Sequence, residues 1–296
     1  MNNSTMINGV MTMSDNSEAK IPLIIIWIVI VIVGGVGNTL TIYVIYRRSV
    51  KSATIIYILS LAVADLAFLT TVVPYNFSLR KINVLVKFGD AVMVFLAFLQ
   101  FITVHVTCWT LMAMTIDRYL AIVYPVKSLK WRTTKTSIKV SIGAWIVSGF
   151  LSIPAALPYT YNSDFLNAVA VDIFLTSFGI PLLVIIICYV KIISVIYKRN
   201  KEMLQKNTVR KTRRAVKMVS ILILLFAFSW GPMQVLAMLS NLDPNFTDPS
   251  QFDILRKFLN TLAYTNSCIN PFVYALMNKE IRKALASKLC IKHDRV

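Results

Sequence analysis

Seven long apolar runs, separated by short polar and basic stretches, make up most of the 296-residue chain. They lie at Pro22–Tyr46, Thr54–Ser78, Phe88–Tyr124, Thr136–Leu157, Val169–Tyr197, Ala215–Asn241 and Phe252–Met277. Each has the roughly 20 residues that a helix needs to cross about 30 Å of hydrocarbon. In lipid every backbone polar group must find its partner within the protein, which leaves helices or closed barrels. Runs this long and this continuously apolar predict helices. The expected fold is an all-α membrane protein: a seven-transmembrane helix bundle over 22–278, preceded by a polar tail over 1–21. Lys279 to Leu289 then alternates Lys and Arg with Ile, Ala and Leu at helical spacing. It predicts a short amphipathic helix on the cytoplasmic membrane surface, opening the tail segment 279–296.

Composition agrees, at 57% hydrophobic residues and a mean hydropathy of +0.68. A net charge of +18 would suit a nucleic-acid binder, but its distribution points elsewhere. With the N-terminus outside, all but six of the 31 Lys and Arg fall in cytoplasmic segments; the six are Lys20, Arg80, Lys81, Lys87, Arg256 and Lys257. Asp15, Glu18, Asp90, Asp164, Asp172, Asp243, Asp248 and Asp253 fall outside. This positive-inside bias sets the orientation, and the basic loops face anionic lipid and an acidic partner surface, not nucleic acid. The sequons at Asn2, Asn3 and Asn245 fall on the outer side and predict glycosylation. Residues 1–20 lack the charged and apolar regions of a cleaved signal, so the first span is expected to direct insertion. Cys108, Cys188 and Cys268 fall within spans; Cys290, directly after the amphipathic segment, is a palmitoylation candidate or a free thiol.

The polar residues inside the spans are few. Asp65 is the one acid deep within a span, and an intramembrane carboxylate is a functional-site hypothesis by default, against a protonated carboxyl bonded to a neighbouring helix. Asn38 is a buried amide beside Gly34, Gly35 and Gly37, small residues that allow close helix contact. Pro74, Pro154, Pro181, Pro232 and Pro271 interrupt spans two, four, five, six and seven. The third span carries Gln100, Thr103, His105 and Thr107, then Asp117-Arg118-Tyr119 where it leaves the apolar run. An acid–arginine pair at that depth works as a polar latch or marks a helix end. Phe226 and Trp230 precede Pro232, a hinge marker, and Lys198 to Lys217 is the most basic segment, either solvated or a docking surface. The loop from Pro158 to Ala168 reads as short and polar.

Together these residues resemble the rhodopsin-like (class A) G-protein-coupled receptors over nearly the whole chain. The matching set runs Gly37-Asn38, Leu61-xxx-Asp65, Asp117-Arg118-Tyr119 and Trp145 through the first four spans. Pro181 with Tyr189, Phe226-xxx-Trp230-Gly231-Pro232 and Asn270-Pro271-xx-Tyr274 continue it through the last three. Phe88-Gly89-Asp90, Gln100, Cys108, Met114 to Tyr119, and Trp230 to Gln234 look most like the kisspeptin, galanin and allatostatin-A receptor group. The resemblance implies a plasma-membrane receptor for an extracellular peptide, often C-terminally amidated, with Tyr75, Gln100, Trp230, Gln234 and Tyr264 as pocket candidates. It implies a central sodium site at Asp65, Thr107, Asn266, Ser267 and Asn270, with no other cofactor. Arg118, held by Asp117 at rest, would swing towards Tyr189 and Tyr274 as span six moves about Pro232, opening a cleft for a heterotrimeric G protein and then arrestin.

The chain departs from the family pattern in its outer loops. Met93 stands where the family has a disulfide-forming cysteine, Val86 replaces the usual loop tryptophan, and the second outer loop is short. Loss of one such disulfide costs about 2–5 kcal/mol in small secreted domains. Thr212 stands where an acid at the base of span six would pair with Arg118, which implies raised basal activity. Two readings compete with the signalling receptor: a peptide-binding decoy, and a carrier or proton pump using Asp65 and Asp117. A pump normally needs a chain of carboxylates and an internal repeat, and neither is visible. A retinal-binding pigment would need a lysine within span seven. No nucleophile–base pair or metal cluster suggests an enzyme.

Overall fold

The computed structural model describes residues 20–48, 52–74, 90–156, 163–201, 206–243, 249–278 and 281–282. Among these residues the chain forms seven helical rods. They are α1 (Lys20–Arg48), α2 (Ala53–Ala67, continued by a π-helical turn Phe68–Val72), α3 (Asp90–Val123) and α4 (Thr134–Ala156). Then come α5 (Ser163–Phe174, a π-helical turn Leu175–Gly179, and Ile180–Lys201), α6 (Lys206–Leu242) and α7 (Pro249–Met277). α1 packs on α2 and α7, α4 on α2 and α3, and α6 on α5 and α7, so the rods close into a ring. α3 runs through its middle, touching α2, α4, α5 and α6.

Six of the seven are long and apolar enough to cross a membrane by composition alone; α7 is the exception. Its 29 residues would span roughly 43 Å at about 1.5 Å each. It carries Thr261, Thr265, Asn266, Ser267 and Asn270, whose polarity lowers its hydropathy, and most of that face is turned into the bundle. The structure also corrects two boundaries. The stretch expected as loop up to Ala168 is helical from Ser163, extending α5 towards its start. The basic segment is helical from Lys206 onward, so its lysines and arginines form the first turns of α6. Of the expected amphipathic helix only Ile281 and Arg282 are described, and Ile281 is buried. The rest of that helix and the tail over 1–19 lie outside the described residues.

Both π-helical turns end two residues before a proline, Val72 before Pro74 and Gly179 before Pro181. A proline ring clashes with the carbonyl four residues back and offers no N–H to it. Widening the helix over the preceding turn accommodates that conflict, and π-bulges of this kind recur at functional sites. Hydroxyls in each turn take up loosened carbonyls. Thr70 Oγ1 donates to Leu66 O (2.8 Å) and Thr71 Oγ1 to Ala67 O; Thr176 and Ser177 donate to Asp172 O and Ile173 O at 2.7 Å each.

Glycines set the approach of α1 to its neighbours. A Cβ on Gly34 would meet Leu69 Cδ1 at 2.6 Å and the backbone Cα of Cys268 at 3.1 Å, and one on Gly37 would meet Pro271 at 3.0 Å. A Cβ on Gly35 meets nothing within 4 Å. Gly34→Ala is therefore expected to overpack the contact between α1 and α7 and cost about 1–3 kcal/mol. Gly35→Ala should be neutral or gain up to about 1 kcal/mol from helix propensity. Thermal unfolding of the detergent-solubilised chain, read by thiol labelling of buried Cys108 and Cys188, checks this; equal shifts for the two changes would refute it.

Candidate functional site

The deepest polar cluster is built by α1, α2 and α7. Asp65 is 1% exposed, and Asn270 Nδ2 donates to its Oδ2 at 2.8 Å. Pro271 has no N–H, so the Ser267 carbonyl four residues earlier loses its helical donor. Asn38 supplies the replacement: its Nδ2 donates to Ser267 O and to Gly34 O, each at 2.9 Å. Asn266, Ser267 and Thr107 are buried as well, with the Thr107 hydroxyl turned back to Thr103 O. Asp65 Oδ1, Asn38 Oδ1, Asn266 Oδ1 and the Tyr274 hydroxyl are buried with no protein group bonded to them. Carboxylate and amide oxygens without donors form a hard-oxygen set, the kind that hard cations and water prefer.

At the far end of α3, Asp117 is 6% exposed and is gripped mainly from outside its own helix. Arg132, in the segment joining α3 to α4, donates Nε to Oδ1 at 2.9 Å and Nη2 to Oδ2 at 3.2 Å. That two-pronged geometry is the strong form of the arginine–carboxylate pair. Arg118 Nη2 lies 3.4 Å from Oδ2, a looser contact, and its Nε is buried without a partner. The expectation that Asp117 holds Arg118 is thus met only weakly, because Arg132 occupies both carboxylate oxygens. Across from them, the Tyr189 hydroxyl donates to Val216 O on α6 at 3.4 Å. Tyr119 points away, edge-on to Tyr124 with Lys191 Nζ 6.0 Å above its ring.

Apart from these polar centres, an aromatic belt crosses five helices. Trp27 meets Tyr264 edge-on at 5.6 Å between centroids, Tyr264 meets Phe68 at 5.6 Å, and Phe68 meets Trp230 at 5.5 Å. Trp230 stacks on Phe226 at 6.5 Å, and the belt continues through Phe178 to Phe174. Phe68 and Phe178 belong to the two π-helical turns, so the proline-driven widening places both rings. Gly231 makes room, since a Cβ there would meet Phe178 Cζ at 3.1 Å.

Nearby, His105 joins three helices. Its Nδ1 lies 2.9 Å from Phe101 O and 3.2 Å from Ser152 Oγ on α4, and its Nε2 lies 3.0 Å from Thr176 Oγ1 on α5. A carbonyl only accepts, so Nδ1 carries a hydrogen. Trp109 Nε1 donates to Thr176 O at 3.0 Å, and Gln234 Nε2 to Ser177 Oγ at 3.0 Å, tying α3 and α6 to the same widened turn. Gln234 also lines a cavity of about 150 Å³ with Phe101, Pro154, Phe165, Val169 and Met238.

The rhodopsin-family model, described as "7 transmembrane receptor (rhodopsin family)", matches residues 37–274. The chain belongs to that receptor family. Relatives include the "G-protein coupled receptor 54" of Oreochromis niloticus, 33% identical over 282 residues, covering 86% of this chain and 74% of the relative. The "Somatostatin receptor type 2" proteins of Mus musculus and Sus scrofa are each 30% identical over 290 residues, covering 91% of this chain and 77% of theirs. The receptor is a multi-pass membrane protein, and these relatives are named as receptors, not enzymes.

In the receptor, Asp65 and Asn270 are in contact and Asn38 bonds the backbone of Ser267. Trp230 and Tyr264, expected as pocket residues, lie inside the belt at 8% and 2% exposure, whereas Gln234 edges a cavity. Gln100 is half-buried on α3. Tyr75, Asn2, Asn3, Asn245 and Cys290 lie outside the described residues. Sequence reasoning missed Arg132, hidden among the other basic residues of the segment between α3 and α4, and missed Phe68 and Phe178, which look like ordinary core. The hydroxyl pairs shortly before Pro74 and Pro181 were the available signal for the last two. Arg132→Gln is expected to cost about 1.5–3 kcal/mol by removing two bonds to a charged acceptor. Arg118→Gln should cost less; unfolding by detergent titration ranks the two, and the reverse order would contradict the assignment of Arg132 as the main partner.

Proposed function

We propose that the receptor is activated by an extracellular peptide, an amidated neuropeptide in the reading favoured here, and couples to a heterotrimeric G protein and then to arrestin. The observation that carries it is the looseness of Arg118: an arginine 15% exposed at the end of α3, 3.4 Å from an acid already committed to Arg132. Such a group is free to exchange partners when α6 turns about Pro232, with the Tyr189 and Tyr274 hydroxyls as acceptors in reach of the opened cleft. Coupling requires the agonist to bind the open state more tightly than the closed one. The reading places the receptor in the plasma membrane with its N-terminus outside, Asn2, Asn3 and Asn245 glycosylated, and Cys290 palmitoylated. A threonine at position 212, where an acid would form an ion pair with Arg118, is expected in this reading to leave the closed state less secured. The names of the relatives support a peptide ligand.

The test is G-protein activation in cells displaying an N-terminally tagged receptor, challenged with a panel of amidated neuropeptides and normalised to surface tag. A dose-dependent response, abolished in Arg118→Ala, is expected, with ligand-free activity that drops several-fold in Thr212→Glu. Normal display with no response to any peptide would favour the decoy reading instead.

A sodium ion at Asp65, Thr107, Asn266, Ser267 and Asn270 fits the unpartnered oxygens of the central cluster. When bound it supplies positive charge beside a carboxylate that the bundle otherwise leaves half-satisfied. Replacing choline chloride by sodium chloride at equal ionic strength should raise the thermal stability of the purified receptor, and Asp65→Asn should remove the effect. Equal sodium sensitivity in the variant would rule the site out.

A further inference from the structure

A groove of about 390 Å³ opens on the outer surface of α3 and α4, apart from the central cluster and the aromatic belt. Met112, Ile116 and Leu120 form one wall and Val140, Gly143 and Val147 the other. The spacing on α4 keeps Val140, Gly143 and Val147 on one face. Val140 and Val147 are more than a third exposed on helices that cross the membrane, so the groove faces lipid. Its size falls within the roughly 300–1,000 Å³ of small-molecule sites. Gly143 makes the depth: a Cβ there meets nothing within 4 Å.

The groove is not apolar throughout. At one end it is closed by Trp131, 64% exposed, and by the Asp117–Arg132 pair. Lys127, Lys130, Lys135 and Lys139 lie around that end in sequence, with no acid between Asp117 and Asp164. Arg132 remains 20% exposed while two of its donors rest on Asp117. The result is an apolar slot ending in an arginine–carboxylate pair, with four lysines close to it in sequence. Such a slot matches an amphiphile with an anionic head and a hydrocarbon tail.

We propose that this groove is a binding site for an anionic membrane phospholipid, with an acyl chain between α3 and α4 and its phosphate on Arg132. The phosphate competes with Asp117 for the same guanidinium, so occupancy loosens the grip on the acid next to Arg118. The site rests on the membrane-spanning fold and is independent of the agonist and of the transducer.

Native mass spectrometry of the purified full-length receptor with dioleoyl phosphatidylserine or dioleoyl phosphatidylcholine tests it. One retained phosphatidylserine is expected, bound at least fivefold more tightly than phosphatidylcholine. Gly143→Phe fills the slot while leaving the ion pair in place and should remove that adduct. Gly35→Phe, which adds the same ring on α1 where there is also open space, should leave it unchanged. Arg132→Gln should erase the preference for phosphatidylserine but keep weak binding of both lipids. Glycerophosphoserine, the same head without chains, should not displace the lipid. Equal retention of phosphatidylserine by wild type and Gly143→Phe, absence of any preference between the two lipids, or displacement by the chainless head would each overturn the proposal.

Discussion

A proline inside a membrane helix removes a backbone donor where no water stands ready to replace it, and much of this bundle is arranged around that deficit. At Pro271 the replacement donor comes from another helix: Asn38 reaches from α1 to the orphaned Ser267 carbonyl. That bond requires the two backbones to come close, and the glycines at 34 and 37 permit it. At Pro74 and Pro181 the solution is local, with a widened turn and threonine or serine hydroxyls turned back onto the chain. The motifs shared with the receptor family thus have physical jobs. The asparagine in α1 is a capping group for the broken helix α7, and the small residues beside it are the condition for its reach.

The two widened turns also determine how side chains meet. A π-helical turn shifts the facing of every residue beyond it relative to an unbroken helix, and here the two turns carry Phe68, which meets Trp230, and Phe178, which meets Phe226. Each aromatic contact is worth about 0.5–1.5 kcal/mol beyond the area it buries. The belt therefore ties α6 to α2 and α5 next to Pro232, and Trp230 cannot turn without changing its packing on α2. The hydrogen bonds of Gln234 and His105 to Ser177 and Thr176 fasten the second turn to α6, α3 and α4. A change at one end of the belt is in packing contact with the proline-containing stretch of α6 at its centre.

Fold class was legible because hydrocarbon thickness imposes span length, and a run of 20 apolar residues has few other meanings. Span ends were less legible. The start of α5 is polar, and the start of α6 is basic enough to read as a juxtamembrane segment, so helix continued where composition suggested loop. Asp65, Asn270 and Asp117-Arg118-Tyr119 stood out because charge and amide groups are rare in membrane spans. Arg132 did not, since one arginine among many in a basic segment carries no mark until the chain folds it 2.9 Å from Asp117. Tyr264 was visible as an aromatic residue at a plausible depth, but depth does not give facing, and it turned into the belt beside Trp27 and Phe68.

The low hydropathy of α7 has a consequence for how the molecule is made. Six helices have the composition to enter a bilayer unaided, while the seventh carries the groups that pair with the polar side chains of α1 and α2. During synthesis, Asn38 and Asp65 therefore enter the membrane long before Ser267 and Asn270 exist to meet them. Until then an amide and a carboxyl stay in hydrocarbon with part of their hydrogen bonding unmet, at a cost of several kcal/mol. Arrival of α7 discharges both debts at once and closes the ring between the first helix and the seventh. Completion of the bundle is thus coupled to its final span, and an assembly stalled before that point displays its polar residues to lipid as a chemical mark of unfinished work.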